Sequence, residues 1–343
     1  MKRTGYLWDR FISYENFEEA LKNVSKGKAN RRCVKRVLAN PRAYYELILA
    51  NPFDVGHYTP KQVIDESSMK KRDILVPRFF PDQIVHHMLI QVIYESLMRG
   101  QYEKSCASIK GRGQLYASFN VRHYIKKNRR RKIYWAKLDI RHFYPSIDHD
   151  VLKAKLAKKI KDRDILALCG AIIDSCNDGI PIGNFTSQIF SNFYLGEFDH
   201  YVKEVLGVSF YCRYMDDMVL ISPNRRKLGK EIDGIKNRLH HEYKVETHDD
   251  EVIYELNEYH PIDFVGYRHY SDHTTIRRRV FKHARRMSLR IFRNGNFEKI
   301  VVRQRRRIAS YLGYVKYSSS VSITRKYQLY KEALRANAKQ ILL

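Results

Sequence analysis

The stretch FYCRYMDDMVLIS, Phe210 to Ser222, sets two adjacent aspartates, Asp216 and Asp217, in an apolar run of strand character. Removing two like charges from water is costly, so such a pair persists most readily when a divalent cation neutralises it. If FYCRY and MVLIS are antiparallel strands, Met215 to Asp217 form the turn at a sheet edge and both carboxylates project into a cleft. Mg²⁺ suits these donors, because it takes oxygen ligands, keeps several waters, and is usually held by one or two carboxylates plus substrate phosphates. A third carboxylate comes from YWAKLDIRHFYPSI, where Asp139 closes another strand-like run. Two ions about 3.5–4 Å apart, sharing Asp139 and Asp216, would activate an attacking hydroxyl and hold a triphosphate with its leaving group. In-line nucleotidyl transfer of this kind is driven mainly by positioning and charge neutralisation. Each element alone has a plainer explanation, as a solvated Asp-Asp turn or a strand-end aspartate. Their combination points to chemistry.

These residues need a scaffold, and the chain supplies recognisable pieces of one. The first 60 or so residues are basic and helical in pattern and end at the turn dipeptide Asn51-Pro52. Ile74, Leu75 and Val76, before Pro77, make a short strand. A helix follows, started by Pro81 and Asp82, with apolar residues at Ile84, Val85, Met88, Leu89, Val92 and Ile93. SIKGRG is a glycine loop leading into a helix that ends in cations; IYWAKLDI is a strand, and HDVLKAKLAKKI and ILALCGAIID are helices. TSQIFSNFYLGEFDHYVKEV is expected as one helix, KLGKEIDGIKNRLHHEY as another, and VIYEL and PIDFVGYRHY as strands. From Arg277 onward, 19 Lys and Arg face only Glu298 and Glu332, and Phe281, Ala284, Met287 and Ile291 recur at helical spacing. No internal repeat and no Ser/Gly/Pro linker divides the chain.

Composition narrows the partner. With 64 Lys+Arg against 37 Asp+Glu, the net charge of +27 implies a polyanion held through its phosphates, with nucleic acid ahead of an anionic membrane surface. No segment reaches the roughly 20 apolar residues of a membrane span, and no signal-like apolar region follows MKRTGYLWDR, so a cytoplasmic protein without membrane contact is expected. Cys33, Cys106, Cys169, Cys176 and Cys212 form no C-x-x-C pair and suit neither a zinc site nor a disulfide framework. The cationic tracts KKNRRRK (Lys126 to Lys132) and RQRRR (Arg303 to Arg307) read as nucleic-acid contacts, against the alternative of solubilising surface charge.

Taken together, the blocks resemble the reverse transcriptases, in that family's order from about residue 70 to 270. RYMDDMVLIS looks like the Y-x-D-D turn and LDIRHFYPSID like the first aspartate motif; GIPIGNFTSQIFSNFYL follows, DFVGY resembles the primer-grip hairpin, and RDILVPRFFPDQIVHHML and SIKGRG resemble finger motifs. The resemblance implies an α+β right hand: a basic helical extension (1–69), fingers (70–135), palm (136–149), further finger and palm helices (150–180), palm with both hairpins (181–270), and a basic helical thumb (271–343).

It also implies roles. Asp139, Asp216 and Asp217 would be the catalytic triad and, with the backbone of Ile140, would hold two Mg²⁺, for which Mn²⁺ could substitute. Tyr144, five residues after Asp139, would gate the sugar, against the alternative of a core aromatic. Lys71 and Arg72 match the triphosphate clamp, although cations there also suit a solvated edge. Ile182, Gly183 and Gln188 would line the nucleotide site, with Gly183 allowing close backbone approach. Arg112, Tyr214, Met215, Phe264, Gly266 and Tyr267 would contact primer and template. Two departures matter. Ile182 and Gln188 replace the Gln and Pro of the commonest Q-G-x-x-x-S-P form, giving I-G-N-x-x-S-Q as in diversity-generating retroelement enzymes and defence-associated bacterial branches, and low fidelity is expected. The lysine that often precedes the next strand is replaced by Asp249, Asp250 and Glu251; His248 or Lys244 could act as the general acid, against the plainer reading of a solvated acidic turn.

The expected reaction is Mg²⁺-dependent DNA synthesis from dNTPs on an RNA template, in antiphage defence with a dedicated structured noncoding RNA and with a protein partner or a second copy of the chain. A diversity-generating role, RNA-templated RNA synthesis and a catalytically idle RNA-binding scaffold are the alternatives. With no endonuclease, RNase H or zinc segment recognisable after the thumb, mobility by target cleavage is not expected. Tyr311, Tyr314 and Tyr317 could stack on unpaired bases, with helix packing as the default for each.

Overall fold

The computed structural model describes residues 3–64, 71–293 and 302–319. Its N-terminal part is helical: α1 (Trp8–Phe11), α2 (Tyr14–Ser25), α3 (Arg32–Ala39) and α4 (Pro41–Ala50). In α2, Ser13 caps the first turn by accepting from Asn16 N, and Phe17, Ala20, Leu21 and Val24 form a stripe at helical spacing that packs on α5 (Ile84–Met98). By contrast, α3 buries only Val34 and Val37 and keeps its cations in solvent.

An antiparallel hairpin, β1 (Tyr58–Ile64) and β2 (Lys71–Pro77), precedes α5, with Tyr58 opposite Pro77 and Ile64 opposite Lys71. Only the end of β2 was legible as a strand. β1 and β2 pair with each other although they lie on either side of the division expected at residue 69/70.

Then come α6 (Gln114–Lys127), β3 (Tyr134–Asp139), α7 (Phe143–Ser146), α8 (His149–Lys159), α9 (Arg163–Asp174), α10 (Phe185–Tyr194) and α11 (Gly196–His200). Asp148 and Asp162 cap α8 and α9, and Asp162 Oδ2 also accepts from the backbone N–H of Leu7 and Trp8 at 3.0 Å each. The single helix expected over Thr186–Val205 is broken after Tyr194 and continues beyond α11 as a wider turn, Tyr201–Val205.

The four-stranded sheet is antiparallel, ordered β4 (Phe210–Tyr214), β5 (Asp217–Ser222), β3, β6 (Tyr254–Glu255). Alternation along its strands separates two cores. Tyr134, Ala136 and Leu138 of β3 and Met218 and Leu220 of β5 face the larger one; Trp135 of β3, Val219 and Ile221 of β5, and Phe210 and Cys212 of β4 face the smaller one, against α6. By the same alternation Lys137, Asp139 and Asp217 belong to the smaller core's face. One expectation is corrected here: Asp217 is the first residue of β5, so the turn is Met215–Asp216 alone; the edge strands of the sheet are β4 and β6.

After α12 (Arg225–Tyr243), a third sheet forms from β7 (Ile262–Phe264), β8 (Tyr267–His269) and β9 (Thr274–Ile276), followed by α13 (Arg278–Arg293) and α14 (Val302–Lys316). Phe281 and Ala284 pack inward as expected, whereas the side chains of Met287, Ile291 and the Arg303–Arg307 tract lie outside the described residues, as do 320–343. No helix among the described residues is long and apolar enough to cross a membrane.

Candidate active site

Strand register brings the distant carboxylates together. Asp139 and Asp217 are direct partners across β3 and β5, which sets their Cβ atoms about 4.5–5.5 Å apart. Asp216 sits in the adjoining turn, where its carbonyl accepts from Ile140 N at 3.4 Å. Met215, with φ 58°, takes the left-handed conformation that lets two residues reverse the chain.

Burial and mutual repulsion dominate the electrostatics. Burial, then the charge of Asp139, pushes the Asp216 carboxyl above its usual range, while Arg72 and Lys137 oppose the rise. Asp217 is pushed up to about 6, again first by burial, with Asp139 and Asp216 adding to it and Lys137 opposing it. Lys137 Nζ lies 2.9 Å from Asp217 Oδ2, and Asp217 Oδ1 is buried without a hydrogen-bond partner among the described residues. An all-oxygen donor set, an orphaned carboxylate oxygen and like charges only partly offset by Lys137 and Arg72 fit a divalent cation. Among the described residues no three His, Cys, Asp or Glu side chains enclose a metal site by themselves, so backbone, water and substrate phosphates would complete the ligand set, as Mg²⁺ favours.

Around the turn, Tyr144 on α7 is half-buried, and its hydroxyl points at Met215 Sδ at 3.8 Å. Burial chiefly raises the Tyr144 pKa, with Asp216 contributing. Lys71 and Arg72 stand exposed on β2, and Arg72 is near enough to act on Asp216. Gly183 has φ 120°, and a Cβ there would meet Leu75 O at 2.8 Å; alongside it, Leu75 N donates to Ile182 O at 3.0 Å. The β2 strand itself therefore requires this glycine, whatever lies beside it. Gln188 is exposed on α10.

The residues expected at primer and template divide. Tyr214 is partly buried at the end of β4. Arg112 is engaged with the backbone, its guanidinium donating to Tyr102 O at 2.5 Å and Ser105 O at 3.1 Å. Phe264 and Tyr267 are core residues at 0% and 1% exposure, and Val265 and Gly266 in the turn between them are buried as well. Gly266, φ 88°, lies under the Tyr314 ring. His248 and Lys244 are also placed: His248 N donates to Asp139 O at 3.0 Å, and Lys244 pairs with Asp148 at 2.7 Å.

Three contributors were missed from sequence. Lys137 precedes Asp139 by two residues, and the period of a strand would have put it on the aspartates' face. Arg213 and Asp199, both fully buried, form a paired clamp whose second function is to hold Met215 O at 2.9 Å from Arg213 Nη1. An Arg directly before the Y-x-D-D tyrosine was a visible signal; its partner on α11 was not.

Residues 82–269, more than half of the chain, match the family described as "Reverse transcriptase (RNA-dependent DNA polymerase)". No curated protein matches in sequence. Among solved structures, apo telomerase from Candida tropicalis is similar at TM-score 0.52 and 13% identity, over 83% of this chain and 63% of that one. A form of it truncated from its C-terminal domain gives 0.49 and 15%, over 64% and 55%, and Candida albicans telomerase in complex with a TWJ fragment of telomeric RNA gives 0.48 and 14%, over 82% and 61%. The first of these likenesses is one of fold. The chain spans between about half and two thirds of the length of these telomerase chains.

Proposed function

The chain belongs to the reverse transcriptase (RNA-dependent DNA polymerase) family, and from that premise we propose that it synthesises DNA from dNTPs on an RNA template. The observation that carries this reading is the pairing of Asp139 with Asp217 across β3 and β5, with Asp216 in the adjoining turn. In the reaction a primer 3′ oxygen bonds to the α-phosphorus of a dNTP and the bond to pyrophosphate breaks.

Asp139, Asp216, Asp217 and the Ile140 carbonyl would hold two Mg²⁺, which when bound lower the pKa of the attacking hydroxyl and offset charge on the leaving group. Lys137 keeps Asp217 oriented, and Arg213 fixes the turn backbone. Lys71 and Arg72 on β2 offer cations to the triphosphate. Tyr144, beside Met215, limits the space for a 2′-hydroxyl. The template is a structured noncoding RNA, and the I-G-N-x-x-S-Q form at Ile182 to Gln188 supports service in antiphage defence, with a diversity-generating retroelement as the second reading.

Primer extension on an RNA template decides the activity: extension with dNTPs by the native chain and none by Asp216→Ala is expected. Equal extension by both would end the polymerase reading. Gain of ribonucleotide incorporation in Tyr144→Ala would support the sugar gate. Sequencing nucleic acid that copurifies from cells identifies the template, and a neighbouring variable-protein gene with a template repeat would favour the second reading.

A further inference from the structure

A cleft of about 520 Å³ opens between α6 and the β8–β9 turn, and its lining shares no residue with the catalytic turn. Arg122 and Lys126 sit one helical turn apart on α6, and Arg129 lies just beyond its C-terminal end; all three are exposed. The opposite wall is the turn Tyr270–His273, whose two rings are parallel at 6° with centroids 4.4 Å apart. Ile125, Thr274 and Ser319 complete the lining. The one carboxylate in it, Asp272, is engaged by His273 at 2.7 Å.

The charge around this cleft is one-sided. No acidic residue occurs from Ser105 to Leu138, and Lys127, Arg130, Arg131 and Lys132 continue the cationic rim in exposed positions. Exposed cations alone only solubilise a surface. Here they line a walled cleft, with a flat aromatic pair opposite, and that combination suits a strand whose phosphates meet the cations while a base lies on the rings. The position is separate from the aspartates: α6 packs with Ile133, just before β3, and Trp135 within it, and Asp139 ends that strand, about 13–20 Å from those two residues at the rise of an extended chain.

We propose that this cleft is a second nucleic-acid site, gripping the phosphodiester backbone of a single strand through Arg122, Lys126 and Arg129 and stacking one base on the Tyr270–His273 pair. It holds nucleic acid whether or not the enzyme turns over, so its test is run in an Asp216→Asn background by fluorescence anisotropy with a labelled 20-nucleotide RNA and the DNA of the same sequence. Replacing Arg122, Lys126 and Arg129 by Ala should lower the slope of log K against log salt by about 0.7 per lost phosphate, roughly 2 in all. Tyr270→Ala should weaken binding roughly tenfold with the slope unchanged. A larger effect on RNA assigns the cleft to the template, and a larger effect on DNA assigns it to the product; either supports the site. Should the triple variant misfold by circular dichroism, Lys126→Ala alone should lower the slope by about 0.7. Unchanged slopes and affinities in folded variants would overturn the proposal, as would competition by vesicles of phosphatidylserine equal to that by unlabelled RNA. In the otherwise native chain, the cleft variants should extend a primer–template too short to reach the cleft at the normal rate, so a failure of this site and a failure of the polymerase reading give different results.

Discussion

Arg213 and Asp199 are joined inside the protein by two hydrogen bonds, Nε to Oδ1 at 2.7 Å and Nη2 to Oδ2 at 2.5 Å, with neither side chain exposed to solvent. The same guanidinium donates to Ser105 Oγ and to Met215 O, each at 2.9 Å, and Tyr211 donates to Asp199 Oδ1 at 2.7 Å. One ion pair thus ties α11, the loop before α6, and the turn that carries Asp216.

Breaking that pair leaves a buried charge alone. Arg213→Met and Asp199→Leu should each cost about 3–5 kcal/mol, while the double variant should recover much of the stability. Primer extension should stay low in the double variant, because Met215 O has still lost its donor. Denaturant melts together with turnover at matched folded fraction test this; full activity in the double variant would show that the turn holds its shape unaided.

Removing a carboxylate from the opposed pair should trade activity for stability. Asp217→Asn abolishes one of the like charges facing each other across β3 and β5, and its melting temperature without divalent cation should be at or above that of the native chain. Adding MgCl₂ should raise the melting temperature of the native chain and leave the variant nearly unmoved. An equal rise in both would mean that the cation binds elsewhere.

Two buried histidines, His86 and His269, and the half-buried His87 predict an acid-sensitive fold. Burial holds His86 down at about 3, His87 at about 4 and His269 at about 3, and neither ring nitrogen of His86 has a partner among the described residues. Above pH 6.5 folded and unfolded imidazoles are both neutral, and stability is full. Below it the unfolded chain takes up protons that the folded chain cannot, so stability falls as pH drops from 6.5 towards 3. Asp82 and Glu231, raised by burial, act in the opposite sense, their contribution present at low pH and lost as pH rises. His86→Leu isolates the first effect: the variant should gain about 3 kcal/mol relative to the native chain between pH 7 and pH 4, measured by urea melts at both values. A difference independent of pH would refute the assignment.

Gly183→Ala should loosen the contact between β2 and the loop before α10. The positive φ and the 2.8 Å approach to Leu75 O both oppose a side chain, at a cost of about 1–3 kcal/mol. If Lys71 and Arg72 clamp the triphosphate, misplacing β2 should raise the KM for dNTPs more than it lowers kcat. Native kinetics in this variant would separate β2 from nucleotide binding.

The parts of the fold legible in the sequence were those with strong local patterns. The Phe210–Ser222 hairpin, the α5 stripe and the α12 helix follow from period and length, and Asp139 with Asp216 and Asp217 from charges set in apolar runs. What escaped was non-local or locally unfavourable. β1 reads YTPKQVI, polar with an internal Pro60, and gains its strand form from pairing with β2. The break after Tyr194 comes in a run that patterns as one continuous helix, close to where Gly196 packs against the Gln101 side chain. Lys137 was one strand period from a residue already singled out, whereas the Asp199–Arg213 pair required knowing that α11 returns to β4. Phe264 and Tyr267 carry a hairpin motif through the positions of their backbone, not through side chains open to a ligand.

Tyr314 draws these pieces into one joint. Its ring lies over Gly266 and its hydroxyl donates to Gln114 Oε1 at 2.8 Å, so a residue of α14 touches the β7–β8 turn and the first residue of α6, 200 positions away. One phenol of α14 is thereby fixed to two elements at once, alongside the burial of Val315 and the Tyr317–Phe119 ring contact. Displacing that one ring would bare the turn and strip Gln114 of its phenol in a single motion.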